Sequence, residues 1–239
     1  MLQNASDYNQ SVDVRLEIDE NQVVFRHTGN PFSIQDVLNL ISPDSGKDKD
    51  EVRKENIGKF GSGLVSTHIL SSEMEVHGAF KSKNEDKLFK FHILLDRSLY
   101  EDKEKLIESI EKTKRGFREI QDSIEKNEYS GYMTSFSYNL RKKLPGLSSS
   151  IDTVELGLEQ IYDVLPYTLC FMSKVQSVEI VDKRTKSNIK NFQITRKLGS
   201  NSLQKFEIKE NQQTTEIEFV KIKYQQVETV YRHEGTAIQ

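Results

Sequence analysis

IGKFGSGLVSTHILSS, residues 57–72, is the stretch on which the fold reading turns. Gly58, Gly61 and Gly63 fall at a G-x-x-G-x-G spacing. Leu64, Val65, Ile69 and Leu70 then follow at helical spacing, with the small hydroxyl residues Ser66 and Thr67 between them. Glycine lets a backbone turn tightly and come close to a ligand. A helix that opens just after such a turn points unpaired N–H groups, and the positive end of its dipole, at whatever lies there. That geometry favours an anion, phosphate above all. By spacing alone the stretch also fits a flexible loop leading into a core helix. It lacks the Gly-Lys-Ser/Thr ending of a P-loop and does not fit the dinucleotide fingerprint. The rest of the chain has to decide.

The chain has 239 residues, enough for one large domain or one domain plus part of another. Apolar residues make up 35% and charged residues 30%, so the surface must be strongly charged. A net charge of −3 gives no basic field to draw in nucleic acid or membrane. The single cysteine, Cys170, excludes an internal disulfide and a cysteine zinc site, and its apolar neighbours mark it as a buried small hydrophobe. No apolar run approaches the roughly 18 residues that a membrane span needs. The polar start MLQNASDYNQ is not a signal peptide. A soluble, cytoplasmic protein is expected. His68, His77, His92 and His233 show no metal-ligand spacing and read as structural or exposed.

Upstream of the glycine stretch, Asn4 and Asp7 are three residues apart and share a face if helical. Val12, Val14, Leu16 and Ile18 alternate as a strand, residues 19–22 turn, and residues 23–26 return as a hairpin, which His27-Thr-Gly29 breaks. Ser33 reads as an N-cap with Asp36 as its capping-box partner, ahead of a helix whose apolar face is Val37, Leu38, Leu40 and Ile41. Residues 42–56 carry dense charge of both signs, as a surface loop or a lid does. Downstream, residues 74–80 and 88–95 read as strands, with residues 78–87 turning between them. Leu106, Ile110, Phe117, Ile120 and Ile124 read as one or two amphipathic helices with Gly116 as the break. Residues 133–140 form another strand. Val154 to Leu165 mark a helix that Pro166 ends or restarts. Strand-like runs at 178–182, 189–196, 203–209 and 215–224 suggest a second, mostly β unit, complete or incomplete. The expected division is 1–150 and 151–239.

This α+β order, a mixed sheet covered by helices, resembles the GHKL ATPase superfamily, the Bergerat fold of gyrase B, MutL, histidine kinases and the ninety-kilodalton heat-shock chaperone. The likeness is strongest to the chaperone branch, including sacsin-like proteins. It rests on residues 2 to about 140. LQNASD (2–7) looks like the end of the N-box, His27-Thr-Gly29 sits where the family has the adenine-recognising Asp-x-Gly, and IGKFGSGL (57–64) looks like the phosphate-binding glycine box. Gly131-Tyr-Met-Thr134 looks like the strand whose threonine helps hold adenine.

The resemblance implies an ATP-binding module of a chaperone-like or clamp-like ATPase, with ATP and Mg²⁺ as cofactors. It places Asn4 on Mg²⁺ and the phosphates, and His27, Gly29 and Thr134 at the base. The phosphates fall to Gly58, Phe60, Gly61, Ser62, Gly63 and Leu64. Asp7 holds the adenine turn or a water, or caps the local helix. Residues 42–56 take the place of the lid, and 151–239 that of a transducer-like or middle-like segment. ATP and ADP are the expected partners, beside protein clients or neighbouring domains of a larger chain. Membrane is not expected and nucleic acid is not indicated.

Two departures bear on catalysis. The family's general-base glutamate would precede Met1, which predicts either an N-terminally truncated chain or binding without efficient hydrolysis. His27 replaces aspartate, and a neutral imidazole has one nitrogen able to accept the adenine amino hydrogen. The alternative reading is therefore a degenerate nucleotide-binding or protein-interaction domain without hydrolysis.

Overall fold

The structure, a computed structural model, describes residues 2, 5, 11–41, 66–81, 88–118, 123–124, 132–144, 146, 149–184, 188–197, 203–210, 212–224 and 227–233. It opens with the expected hairpin, β1 (Val12–Ile18) and β2 (Gln22–His27), paired so that Val14 faces His27 and Ile18 faces Val23. Its turn dispenses with Asn-Gly because Asp19 supplies the closure. One carboxylate oxygen accepts from the N–H groups of Asn21 (2.8 Å) and Gln22 (2.9 Å), an Asx turn. His27 is the last residue of β2, not a break in it.

A two-residue strand β3 (Phe32–Ser33) leads into helix α1 (Ile34–Ile41). The capping box forms: the Asp36 carboxylate accepts from Ser33 N–H at 2.9 Å, while Ser33 Oγ accepts from Asp36 N–H at 3.1 Å. Val37 and Ile41 bury the helix in the core. Next come a 3₁₀ turn at Thr67–Ile69 and the antiparallel strands β4 (Glu73–Lys81) and β5 (Leu88–Asp96). Helix α2 (Lys103–Arg118) packs on β5 and against α1. Gly116 does not break it, since the site is open on the helix surface. Ile124 is not helical: β6 (Ser123–Ile124) pairs with the free edge of β5 and satisfies backbone groups there.

After β7 (Thr134–Asn139), Gly146 takes a φ of 78°, a turn that suits glycine, and helix α3 runs from Ser150 to Phe171. Pro166 neither ends nor restarts α3. Leu165 and Leu169, on either side of it, are almost fully buried, and that burial outweighs the roughly 3 kcal/mol that an interior proline costs. Five further strands follow: β8 (Val175–Asp182), β9 (Asn188–Lys197), β10 (Leu203–Glu210), β11 (Gln213–Tyr224) and β12 (Val227–His233).

The described strands form one sheet in the order β12-β11-β10-β9-β8-β1-β2-β7-β4-β5-β6, with β3 alongside β4. β8 lies parallel to β1, and β3 parallel to β4; the other pairings are antiparallel. The fold is therefore α+β, a mixed sheet with helices. One face carries the core, from Ala5 and Val12 through Phe136 and Tyr138 to Phe206 and Ile217. The other face is mainly polar, although Val24, Ala79, Leu88 and Val181 are buried on it. There Glu17, 8% exposed, meets Lys183 at 2.6 Å, Arg15 at 2.8 Å and Arg26 at 3.0 Å, linking β1, β2 and the end of β8. Among the described residues no helix is long and apolar enough to cross a membrane.

Candidate functional site

Strand register sets the candidate site. His27 faces Thr134 across β2 and β7, and Thr134 faces Gly78 across β7 and β4. Val14 on β1 extends the row on one side and Phe91 on β5 on the other. Directly opposed residues share a face of the sheet, so this row lies on the core face.

His27 is held where β2 ends. Thr28 N–H donates to Asp13 C=O at 3.0 Å, and Thr28 Oγ1 accepts from Asp13 N–H at 3.0 Å. The chain then turns so that Gly29 N–H donates to His27 Nδ1 at 3.2 Å. Burial pushes the imidazole down from its usual range to about 4. It is neutral at pH 7, and because Nδ1 is the acceptor, the ring hydrogen is on Nε2. With its one acceptor nitrogen engaged by Gly29, His27 differs from a carboxylate, which has two acceptor oxygens. It presents a donor.

Thr134 is 1% exposed, and its buried Oγ1 has no hydrogen-bond partner among the described residues. Leaving such a group unsatisfied costs about 1–3 kcal/mol. Beside it, Gly78 keeps the wall thin: a Cβ there would lie 3.0 Å from the Phe91 ring and 3.2 Å from Met133 C=O. Gly78 stands inside β4 and does not open the turn, as the sequence had suggested. An interior strand glycine is itself a signal of close approach.

The far end of the glycine stretch is tied to the same strand. Tyr138 O–H donates to Thr67 Oγ1 at 2.9 Å, and burial pushes the phenol up to about 12. Tyr138 lies on the same face as Thr134 and four residues further along β7, about 13 Å away. His68 Nδ1 meets Ser71 C=O at 3.0 Å, and burial lowers its pKa although the carbonyl opposes the shift. Ser71 Oγ donates to Asn139 C=O at 2.8 Å, closing this junction onto the end of β7. Thus the structure brings His27, Gly29 and Thr134 together. Asn4, Asp7, Gly58, Phe60, Gly61, Ser62, Gly63 and Leu64, and the 42–56 loop, lie outside the described residues. Sequence reasoning missed Tyr138, although the alternation of Thr134, Phe136 and Tyr138 on β7 was there to find it.

No protein-family model matches the sequence. No curated protein matches it either. Among solved structures, the chain is similar to the ATPase region of Saccharomyces cerevisiae topoisomerase II, at 12% identity over 93% of this chain and 56% of that one, with a TM-score of 0.43. The same region bound to ICRF-187 (dexrazoxane) gives 13% identity over 93% and 57%, with a TM-score of 0.43. The ATPase and transducer domains of DNA topoisomerase II from Balamuthia mandrillaris give 15% identity over 58% and 35%, with a TM-score of 0.36. The chain spans between about a third and just over half the length of these matched chains.

Proposed function

We propose that this chain is an ATP-binding module of the Bergerat type, in which residues 151–239 pass nucleotide-dependent changes to neighbouring parts of a clamp-like or chaperone-like ATPase. The observation that carries the reading is the buried Thr134 hydroxyl next to His27, which has no hydrogen-bond partner among the described residues. A polar group left orphaned in a core, at a stability cost, suits a ligand that supplies the missing bond. The anchoring of Thr67 on the same face of β7 supports it, because the glycine stretch then ends over the same side of the sheet.

In this reading Thr134 and the Nε2–H of His27 meet the purine edge, with His27 donating to a ring acceptor. The amides of residues 58–64 hold the phosphates. Bound Mg²⁺ would neutralise phosphate charge, with Asn4 as its ligand from the chain; hard oxygen donors suit this ion. The chain's described residues offer no assigned general base, so binding and hydrolysis are separate questions.

Calorimetric titration with MgATP tests the proposal, using Thr134→Val. Valine is close in shape and removes the orphaned hydroxyl, so the variant should be as stable as the parent or more so, by up to about 1–2 kcal/mol. It should bind ATP at least about tenfold more weakly, the scale of one lost hydrogen bond to ligand. Gly61→Val should abolish binding while the fold persists. A folded parent that binds no ATP, or a Thr134→Val variant with unchanged affinity, would overturn the site. Phosphate release then separates a hydrolase from a binding-only module.

A further inference from the structure

The polar face of the sheet carries a second constellation. Glu75 and His77 are two residues apart on β4 and so project to the same side. His92 on β5 is the direct cross-strand partner of His77. Their rings stack in near-parallel planes, 6° apart, with centroids separated by 4.1 Å. Glu75 Oε2 lies 3.4 Å from His77 Nε2 and 3.7 Å from His92 Nε2. One ligand atom from each of the three lies within 4.8 Å of the others.

We infer that Glu75, His77 and His92 form a binding site for a divalent transition-metal ion of the zinc class. Zinc takes imidazole nitrogen at about 2.0–2.1 Å and carboxylate oxygen at about 2.0–2.2 Å in tetrahedral geometry, which puts neighbouring ligand atoms about 3.4 Å apart. The two glutamate–histidine separations already lie near that value. Closing the site requires the histidine rings to tilt out of their stack so that the two Nε2 lone pairs converge. All three side chains are about half exposed, so they can turn at little packing cost. The two ligand-bearing strands are antiparallel neighbours paired over nine residues and hold the three Cα atoms in fixed register.

Two nitrogens and one oxygen select a borderline ion such as Zn²⁺ over Ca²⁺ or Mg²⁺, which take oxygen donors. Three protein ligands leave a fourth position open, as zinc sites that exchange water or bind a further ligand do. A cleft of about 290 Å³ adjoins it, lined by Glu75 together with Asn21, Ser137 and Arg141. That cleft is polar and carries the Arg141 guanidinium on its wall, so an anionic or carbonyl-bearing molecule held there would lie beside Glu75. The site is independent of the nucleotide reading, since Glu75 and His77 alternate with the core-facing Val76 and Gly78.

Titration of the full chain with zinc chloride, read by calorimetry, should give one ion per chain. His77→Ala and His92→Ala should each weaken binding by about tenfold or more, the scale seen even for outer-shell changes at metal sites. Glu75→Gln should weaken it too, because the amide oxygen is a poorer donor than a carboxylate. His27 and His68 are buried and engaged by Gly29 and Ser71, so alanine at either should leave zinc affinity unchanged once folding is verified by circular dichroism. The proposal is overturned if the His77→Ala/His92→Ala double variant binds zinc as tightly as the parent. It is overturned equally if the parent shows no binding up to about 1 mM zinc.

Discussion

Removing the titration of His27 should flatten the acid limb of the stability curve. The imidazole is 8% exposed, and burial lowers it from 6.5 to about 4 in the folded chain. A depressed histidine contributes stability that is fully present above the unfolded value and is lost as pH falls from there. The unfolded chain takes up the proton near 6.5, while the folded one resists until about 4. At 1.36 kcal/mol per unit, the loss attributable to His27 is about 2 kcal/mol at pH 5 and about 3 kcal/mol at pH 4. His27→Asn keeps an acceptor within reach of Gly29 N–H but does not titrate. The measurement is urea unfolding of parent and variant from pH 8 to pH 4, with the difference between the two curves as the readout. Subtraction removes the carboxylates and His68, which burial also lowers. Above pH 7 the gap should be constant; below 6.5 it should shrink by about 1.4 kcal/mol per pH unit. A gap that stays constant down to pH 4.5 would show that the ring protonates in place. The assignment of its hydrogen to Nε2, and with it the donor role toward a purine, would then fail.

Gly78→Ala should lower stability by about 1–3 kcal/mol, the usual range for overpacking, because the added carbon meets the Phe91 ring at 3.0 Å and Met133 C=O at 3.2 Å; thermal unfolding measures it, and an unchanged midpoint would show that Phe91 moves aside freely. Tyr138→Phe should cost about 1–2 kcal/mol through its lost bond to Thr67, and it should speed hydrogen exchange at Leu70 and Ser71, which bond back to Thr67 and His68. For Glu17, burial alone would raise the carboxyl, but Lys183, Arg26 and Arg15 outweigh it and hold it below the usual carboxylate range. Glu17→Gln should therefore cost about 1–3 kcal/mol at pH 7. That cost should fade as pH drops below 4.5, since the depressed group's contribution exists above its unfolded value and is lost through its folded one; a pH-independent cost would mean that packing, not charge, is what the substitution removes.

Local patterns carried most of the fold. The alternation of Val12, Val14, Leu16 and Ile18 marks β1 because one face of that strand is core and the other is not. The Ser33–Asp36 capping box marks the start of α1 within a residue. What escaped the sequence was held by partners distant along the chain. β3 and β6, two residues each, exist because β4 and β5 offer backbone groups to pair with. β12 (VETVYRH) lacks clear alternation and is defined by its pairing with β11. α3 passes Pro166 because Leu165 and Leu169 pack into the core, a tertiary gain that local propensity does not register.

The same distinction separates the two candidate sites. His27, Gly29 and Thr134 were named through the family resemblance, and what the structure adds is their place at a strand end, a turn and a strand start that the register brings together. Which nitrogen of His27 bears the hydrogen was not legible, since that follows from the path of the backbone to Gly29. Glu75, His77 and His92 were invisible for a stronger reason. Their proximity depends on the register that pairs residue 77 with residue 92, and a shift by one residue would turn His92 to the core face. That register is fixed by the opposite side of the sheet, where Val76 faces Ile93, Gly78 faces Phe91 and Phe80 faces Phe89. The aromatic packing of Phe80, Phe91 and Phe117 therefore sets the geometry of an ion site that it does not touch. A substitution that loosens this packing, such as Phe91→Ala, should weaken zinc binding as well as stability. His77→Ala, on the exposed face, should weaken zinc binding with little loss of stability, and the contrast between the two variants distinguishes a scaffold held by the core from three side chains that meet by chance.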